Sequence, residues 1–134
     1  MAKARFLILD YMSRNVVKLR PKMEILHAVH NLIDGRMSGA PVVDDADAVV
    51  GMLTERDCMK VVLNAAYHQE HGGLVEEFMA TDIEVMHPEM SVVDAAKEFY
   101  EKRYLRYPVV DDGRLVGVIS RSDVMRAIGE YWNI

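Results

Sequence analysis

The chain has 134 residues, a single cysteine and a formal net charge of −5 at pH 7. The length corresponds to one compact domain, and the acidic balance argues against a general nucleic-acid surface, which needs a clustered basic face. A single cysteine excludes an internal disulfide and favours a reducing compartment, and no stretch approaches the roughly 18 apolar residues of a membrane span. We therefore expect a cytoplasmic protein that binds neither nucleic acid nor a membrane.

The chain contains an internal repeat that covers most of its length. All four prolines occupy matched positions in the two copies. Because proline fixes φ and removes a backbone donor, a repeated proline pattern implies a repeated backbone. The matched stretches are residues 7–12 with 74–79, 40–45 with 107–112 and, after one residue is dropped in a turn, 51–57 with 117–123.

This repeat defines the expected domain organisation. The first copy spans residues 7–66, the second spans residues 74–131, and residues 67–73 link them. A unit of roughly 60 residues buries too little surface to be stable alone. We therefore expect the two copies to share one core within a single module that covers residues 1–134.

The first predicted element of each copy is a short strand, and the second is an amphipathic helix. The strands are residues 16–19 and 83–86, just before the first proline of each copy. The helices follow from apolar residues spaced i, i+1, i+4, i+7 and i+8, and Ser91 with Asp94 predicts a capping box in the second copy. These apolar residues are Ile25, Leu26, Val29, Leu32 and Ile33 in the first copy, and Val92, Val93, Ala96, Phe99 and Tyr100 in the second.

A hairpin and a second helix complete each copy. Apolar, β-branched runs flank turns at residues 44–47 and 111–114, which predicts two antiparallel strands in each copy. The second helix is expected to begin at Thr54 in the first copy and at Ser120 in the second. The order strand, helix, strand, strand, helix therefore occurs twice.

Three sulfur-containing residues of these second helices are assigned to the core. Cys58 is matched by Val124 in the second copy, which indicates packing rather than a nucleophile. Met59 and Met125 are also taken as core positions, because methionine fills irregular gaps between packed elements.

The motif Gly-x-x-Thr/Ser-x-x-Asp closes each hairpin, at residues 51–57 and 117–123. Together with residues 39–44 and 105–111, these motifs make residues 5–130 similar to a tandem pair of CBS (cystathionine-β-synthase) domains. The resemblance implies an α/β fold of the α+β type. In that fold two β-α-β-β-α repeats pack about a pseudo-two-fold axis and leave two related clefts between them.

The same resemblance implies a function. Many members of this family bind adenine-containing ligands in these clefts, among them AMP, ADP, ATP, S-adenosylmethionine and nicotinamide dinucleotides. The chain is therefore expected to be a regulatory, energy-sensing module that forms a homodimer and signals to a separate effector protein. The family implies no catalytic machinery and no obligatory cofactor. The alternative is a ligand-free structural module for dimerisation or docking.

The residues themselves suit a nucleotide. A carboxylate accepts from both hydroxyls of a ribose, as Asp57 or Asp123 could, and hydroxyls with free N–H groups at a helix start can bind phosphate. The same Thr/Ser-x-x-Asp spacing also predicts helix capping boxes, and one carboxylate can serve both roles. The candidate ligand-binding residues are Lys18, Ala40, Met52, Thr54, Arg56 and Asp57 in the first copy, and Val85, Tyr107, Val118, Ser120, Ser122 and Asp123 in the second.

The resemblance also implies individual roles within this set. Met52 and Val118 would line the apolar slot for the base, and Ala40 and Tyr107 would lie near it. Met52 and Val118 stand two residues before Thr54 and Ser120, and Ala40 and Tyr107 stand just before the hairpin prolines.

Two differences separate the copies. Many family members carry threonine where this chain has Lys18 and Val85. Lys18 either reaches a phosphate or plugs an empty cleft, and the sequence leaves both roles open. Arg56 adds a charged donor in the first copy where Ser122 offers only a hydroxyl, so we expect the first-copy cleft to favour a charged phosphate tail.

Histidine pairs provide a third, enzymatic alternative. His27 and His30, and likewise His68 and His71, have spacings that can ligate a metal, and Glu70 lies within the second pair. Neither pair has a complete ligand set in sequence context. We interpret both pairs as surface histidines and expect neither a metal site nor an enzyme.

Overall fold

The computed structural model describes residues 6–133, and four helices and four strands lie in them. Short 3₁₀ helices occupy Ile8–Asp10 and Val75–Glu77, and residues 1–5 and 134 of the expected module lie outside the described part. The mixed fold of the α+β type is confirmed. The main elements are α1 (Ile25–Asp34), β1 (Gly39–Val43), β2 (Val49–Thr54) and α2 (Glu55–Tyr67), followed by α3 (Val92–Glu101), β3 (Arg106–Asp111), β4 (Arg114–Ser120) and α4 (Arg121–Tyr131).

The first helix of each copy begins at a residue whose side chain caps it. The Glu24 carboxylate accepts from the N–H groups of Leu26 and His27, and the Ser91 hydroxyl accepts from the N–H of Asp94 at 3.0 Å. These bonds satisfy N–H groups that have no partner within the helix. The predicted helix start at Ser91 is confirmed, and a glutamate takes the same role in the first copy. The predicted box is only half formed, because the described residues show no return bond from the Ser91 N–H to the Asp94 carboxylate.

The apolar stripe predicted for these helices is wrong in part. The buried side of α1 is formed by Ile25, Ala28 and Leu32, whereas Leu26 and Ile33 are 54% and 71% exposed. With 3.6 residues per turn, positions i, i+3 and i+7 share one face, and positions i+1 and i+8 fall beside it. The second copy behaves in the same way, with Val92, Ala95 and Phe99 buried and Val93 and Tyr100 exposed.

The predicted strands at residues 16–19 and 83–86 are also wrong. Each segment makes a single parallel bridge, Leu19 with Val42 in one case and Met86 with Val109 in the other. A second bridge would need an N–H donor two residues later, at the position of the copy's first proline, and proline has none. The repeated proline therefore stops each strand after one bridge.

A second segment pairs with the other edge of each hairpin. The bridges join Met52 of β2 to Ala80, and Val118 of β4 to Ser13. A glycine permits each approach, because a Cβ on Gly51 would lie 2.6 Å from Met79 Sδ and a Cβ on Gly117 would lie 2.7 Å from the Ser13 carbonyl oxygen. The glycine of the repeated motif is thus needed for packing.

The two hairpin turns differ by one residue. In the second copy, Asp112 and Gly113 have φ values of 52° and 76°, which is the type I′ pattern of a two-residue loop. In the first copy the Asp44 N–H donates to the Ala48 carbonyl, so three residues form the loop. The last of them, Asp47, has φ 67°. The extra residue is absorbed at a left-handed position that aspartate tolerates.

The described residues divide into two compact units. Each unit combines most of one sequence copy with a short segment of the other copy. The first-copy unit is Val17–Ile83, and the second-copy unit consists of the residues up to Val16 and those from Glu84 onward. In the second-copy unit, Ile8, Tyr11 and Met12 of the first sequence copy are buried against α3, β3, β4 and α4. The matched residues Val75 and Phe78 are buried in the first-copy unit.

Each unit has a buried cluster of its own, and the 3₁₀ segment that completes the cluster belongs to the other copy of the sequence. Both copies therefore contribute to both clusters, and one core within a single module stays a prediction. The cluster of the second-copy unit contains Met86, Phe99, Tyr107 and Ile119, among others. The cluster of the first-copy unit contains Leu19, Ile25, Leu53 and Cys58, among others.

Cys58 is 8% exposed and its counterpart Val124 is 4% exposed, which confirms both as core residues. Burial also raises the pKa of the Cys58 thiol, and the carboxylates of Asp57 and Glu55 raise it further. The core assignment of Met59 and Met125 is wrong, because they are 54% and 71% exposed. Both point away from the cores at matched positions of α2 and α4.

Candidate functional site

Each unit carries one complete set of the candidate residues. The set from Lys18 to Asp57 lies in the first-copy unit, and the set from Val85 to Asp123 lies in the second-copy unit. In both units the hydroxyl and the carboxylate of the repeated motif lie where a hairpin strand passes into a helix.

In the first-copy unit, Thr54 and Asp57 form a reciprocal capping box at the start of α2. The Thr54 hydroxyl accepts from the Asp57 N–H at 3.3 Å, and Asp57 Oδ2 accepts from the Thr54 N–H at 2.9 Å. The Thr54 hydroxyl also lies 3.0 Å from Asp57 Oδ2 and can donate to it. The predicted box is confirmed, and it leaves Oδ1 of Asp57 directed away from the capping bonds.

In the second-copy unit, Ser120 and Asp123 form the same box at the start of α4. The Ser120 hydroxyl accepts from the Asp123 N–H at 3.2 Å, and Asp123 Oδ2 accepts from the Ser120 N–H at 2.9 Å. Ser122 is exposed, and its hydroxyl oxygen lies 3.1 Å from that of Ser120. Two hydroxyls and a carboxylate are thus grouped at one helix start, where free N–H groups favour an anion.

A cation three residues after each aspartate distinguishes the two carboxylates. Arg126 Nη1 donates to Asp123 Oδ1 at 3.1 Å, whereas Lys60 Nζ lies 3.8 Å from Asp57 Oδ1. The aspartate side chains are similarly shielded, at 16% and 14% exposure. The outward oxygen is therefore hydrogen-bonded in the second copy and only approached in the first.

Lys18 is held by the loop that carries the extra residue. Its ammonium donates to both carboxylate oxygens of Asp47, at 3.0 and 2.9 Å. The side chains are 40% and 34% exposed. Since a strand rises about 3.4 Å per residue, the loop lies roughly 17 Å along β2 from Thr54. The structure thus keeps the Lys18 ammonium at the opposite end of the hairpin from the capping box.

The residues beside the hairpin prolines differ in size and depth. Ala40 is fully buried in β1, and Tyr107 is 2% exposed in β3 with its ring against Phe99, at a centroid distance of 5.0 Å. Among the described residues the Tyr107 hydroxyl has no hydrogen-bond partner. Burial raises the pKa of Tyr107 to about 12, and the charges of Glu84 and Glu98 add to this effect. In this conformation Tyr107 fills the core.

The carboxylates near Tyr107 belong to a surface ion-pair group. Lys102 donates to Glu84 and, at 3.0 Å, to Glu98. These contacts hold the pKa of the Lys102 ammonium well above its usual range, the bond to Glu84 having the largest effect. Val85, beside Glu84, is the second-copy counterpart of Lys18. It is apolar and 36% exposed.

The other candidates lie on the hairpins and on α2. Met52 is half-buried in β2, and Val118 is 4% exposed in β4. Arg56 lies in the first turn of α2 and lines a groove of about 770 Å³ between α1 and α2, together with Ile33 and Met37. The structure therefore places Arg56 on the helical side of the unit.

Sequence reasoning missed three residues that contact the candidate set, namely Asp47, Lys60 and Arg126. The signal for the last two was present, because residues three apart face each other on a helix. Asp47 gave no such signal, since only the folded loop brings it to Lys18.

The four histidines considered as metal ligands, His27, His30, His68 and His71, are all exposed, which confirms their interpretation as surface residues. Within residues 6–133, no three histidine, cysteine, aspartate or glutamate side chains are grouped as a metal ion would require. In the same stretch of chain, every helix is too short or too polar to cross a bilayer.

Comparison with known proteins identifies the family. The CBS domain profile matches this chain twice, at residues 8–64 and 75–130. The chain belongs to the CBS domain family. The two matches correspond to the two copies of the repeat, each with its capping box at the start of the second helix.

Solved structures of CBS-domain pairs have the same fold. One is CBSX2 in complex with AMP, which is 26% identical with a TM-score of 0.84 over 95% of this chain and 98% of that one. Another is the CBS domain pair of MJ0100 in complex with 5-methylthioadenosine and S-adenosyl-L-methionine. It is 26% identical with a TM-score of 0.78, over 93% of this chain and 97% of that one.

A curated relative is the protein MJ1225 of Methanocaldococcus jannaschii, which is 28% identical over 92% of this chain and 43% of its own length. The chain spans about half the length of the first curated relatives it matches. The similarity therefore concerns the CBS pair rather than the whole of those proteins.

Proposed function

We propose that this protein is a regulatory, energy-sensing module that binds an adenine-containing ligand of the AMP, ADP, ATP, S-adenosylmethionine or NAD type. In this proposal the ligand alters the module's interaction with a separate effector protein in the cytoplasm. The module catalyses no reaction and needs no obligatory cofactor. The observation that carries the proposal is the pair of matched capping boxes, in a chain whose fold is shared with CBS pairs that bind AMP and S-adenosyl-L-methionine.

The chemistry of each box supports this proposal. An adenosine ligand presents a ribose diol, and Asp57 or Asp123 is a shielded carboxylate that can accept from it. A phosphate or a carboxylate tail would be favoured by the N–H groups and hydroxyls at the same helix start. Because the box already fixes the carboxylate, little side-chain entropy is lost when the ligand binds.

A thermal-unfolding screen tests the proposal. The purified protein is heated with AMP, ADP, ATP, S-adenosylmethionine, NAD or NADH, each at about 100 times the expected Kd. A specific ligand should then add about 2.7 kcal/mol to the free energy of unfolding, which raises Tm by several degrees. The Asp57→Asn and Asp123→Asn variants retain a capping oxygen and should reduce the response. A flat response to all six compounds would contradict the proposal.

The alternative is a ligand-free module for dimerisation or docking, and one observation favours it. Both units expose apolar side chains at matched helix positions, where a soluble monomer normally exposes few. They are Leu26, Ile33 and Met59 in the first-copy unit, and Val93, Tyr100 and Met125 in the second-copy unit. We propose that these faces form a homodimer, whichever function the module serves.

Light scattering on wild type and on the Ile33→Glu/Tyr100→Glu double variant tests the homodimer. A dimer that becomes monomeric with unchanged circular dichroism would support it, and a monomeric wild type would refute it. The two functions then separate by the thermal screen, because only the sensor responds to a nucleotide.

A further inference from the structure

Resting on the proposed function, we propose that Arg126 restrains the Asp123 carboxylate, so that the first-copy carboxylate, Asp57, takes the ribose of the ligand first. The two copies have the same capping box, and the cation that follows it differs. The module would therefore have one strong site and one that is held in reserve.

Arg126 is anchored at more than one point. Its Nη1 donates to Asp123 Oδ1 at 3.1 Å, and its Nη2 donates to the Tyr11 carbonyl oxygen at 2.8 Å. The guanidinium carbon also lies 6.0 Å from the centre of the Tyr11 ring, within the range of a cation–π contact. A planar guanidinium with two fixed hydrogen bonds has little freedom to release the carboxylate.

Among the described residues, Lys60 makes no second contact of this kind. Its Nζ lies 3.8 Å from Asp57 Oδ1, which is an ion-pair contact but too long for a hydrogen bond. A flexible ammonium with one distant contact can move aside when a hydroxyl approaches the carboxylate. Asp57 therefore keeps its outward oxygen accessible.

The difference between Arg126 and Lys60 affects the carboxylate to which a ribose would donate. A ribose diol donates hydrogen bonds to a carboxylate, and a carboxylate oxygen that a fixed guanidinium already holds can turn toward the diol less freely. In the second copy, one oxygen of Asp123 accepts from the Ser120 N–H and the other accepts from Arg126. Losing one charged hydrogen bond and one cation–π contact would weaken ligand binding by about tenfold.

Equilibrium dialysis with radiolabelled AMP and, in parallel, with S-adenosylmethionine tests this inference. We expect the wild type to bind one ligand per chain tightly and a second about tenfold more weakly. Asp57→Asn should weaken the tight site, whereas Asp123→Asn should leave it unchanged. Arg126→Lys, which copies the arrangement at Lys60, should strengthen the weak site to within about threefold of the tight one.

Two further variants separate a specific role of Arg126 from a structural one. Lys60→Arg should weaken the tight site if a guanidinium at this position restrains the carboxylate. Arg114→Lys removes a guanidinium from the exposed end of β4 and serves as the matched control, with no change in either site.

Three results would overturn the inference. These are two equally tight sites in the wild type, loss of the tight site in Asp123→Asn rather than in Asp57→Asn, and an Arg126→Lys variant that binds like the wild type. If none of the six compounds of the thermal screen binds wild type or Arg126→Lys, the proposed function itself is refuted, and this inference is refuted with it. The first three results would leave the proposed function intact.

Discussion

The first-copy and second-copy units share most backbone features and differ in a few side chains and in the length of one turn. Both close a hairpin with a glycine that admits a neighbouring segment, and both begin the following helix with a capping box. The differences are Lys18 against Val85, a three-residue against a two-residue turn, Ala40 against Tyr107, and Lys60 against Arg126.

This comparison separates the residues that stabilise the fold of a unit from those that change the chemistry of its candidate site. The repeated residues are the ones whose change would disturb packing or a backbone hydrogen bond. The residues that differ have side chains near the candidate sites and leave the backbone almost unaltered. One fold thus carries two candidate sets of unequal chemistry, and comparing matched variants in the two units tests how similar the units are.

The largest expected effect concerns the shared glycines. Gly51→Ala and Gly117→Ala should each destabilise the protein by about 3 kcal/mol and lower Tm by about 10 °C, because the new Cβ would overlap Met79 Sδ or the Ser13 carbonyl oxygen. Chemical denaturation measures the loss. Gly113→Asn is the control, since its Cβ would meet nothing within 4 Å and asparagine tolerates positive φ. A loss in only one unit would break the equivalence of the two.

The next effect belongs to the second-copy unit alone. The pKa of Tyr107 is raised to about 12, mainly because its hydroxyl is buried, while an unfolded tyrosine ionises near pH 10. The contribution of Tyr107 is complete below pH 10. It should then fall by roughly 1.4 kcal/mol per pH unit as the pH rises toward 12, because only the unfolded state loses the proton.

Comparing the alkaline unfolding of wild type with that of Tyr107→Phe isolates this contribution. At pH 7 the same variant should be more stable by about 1 kcal/mol, because it removes a buried hydroxyl that has no hydrogen-bond partner among the described residues. Tyr100→Phe, at a 92% exposed ring, is the control at pH 7. Identical pH profiles for wild type and Tyr107→Phe would show that the hydroxyl is solvated.

The capping boxes should contribute equally in both units. Thr54→Ala and Ser120→Ala each remove the acceptor of an N–H group at the helix start, and each should cost about 1 kcal/mol. Thr81→Ala, at an exposed position outside any helix, should leave the free energy of unfolding unchanged. Clearly unequal losses at Thr54 and Ser120 would mean that the boxes are not equivalent, and denaturant titration distinguishes these outcomes.

The smallest expected effect on stability is that of the Lys18–Asp47 ion pair. Asp47→Asn keeps a residue that tolerates φ 67° and should cost at most about 0.5 kcal/mol, a loss that disappears at high salt because the pair is exposed to solvent. A double-mutant cycle with Lys18→Met measures the coupling. A coupling above about 1 kcal/mol would contradict the surface character of this pair.

The same variant distinguishes the two roles of Lys18. If Lys18 reaches a phosphate, its release in Asp47→Asn strengthens binding of ATP relative to AMP. If Lys18 plugs the cleft, its release changes the affinity for both compounds alike, and Lys18→Thr improves binding of both.

Much of the fold could be predicted because the sequence contains the same unit twice, so that each pattern in one copy can be checked in the other. The hairpins, the helix starts at Ser91, Thr54 and Ser120, and the core positions of Cys58 and Val124 follow from local spacing that occurs twice. The prediction of a strand before each first proline was wrong, because a single missing N–H ends the pairing and apolar content cannot reveal this.

Which face of a helix is buried could be predicted only in part. Leu26 and Ile33 have the same apolar chemistry as the buried Ile25, so spacing alone could not show which side packs inward. That choice depends on which segments lie against the helix. In both units the decisive segment includes a 3₁₀ turn from the other copy of the sequence.

The sequence by itself determined that the chain is a tandem of one α+β unit with a Thr/Ser-x-x-Asp box in each copy, because these features depend on neighbours within a few residues. Only the tertiary structure decided which residues complete each core and which distant groups hold Lys18 and Arg126 in place. The ion pair of Lys18 with Asp47 and the contact of Arg126 with Tyr11 join residues 29 and 115 positions apart. Such contacts depend on how the backbone folds back on itself, and short-range sequence patterns carry no record of it.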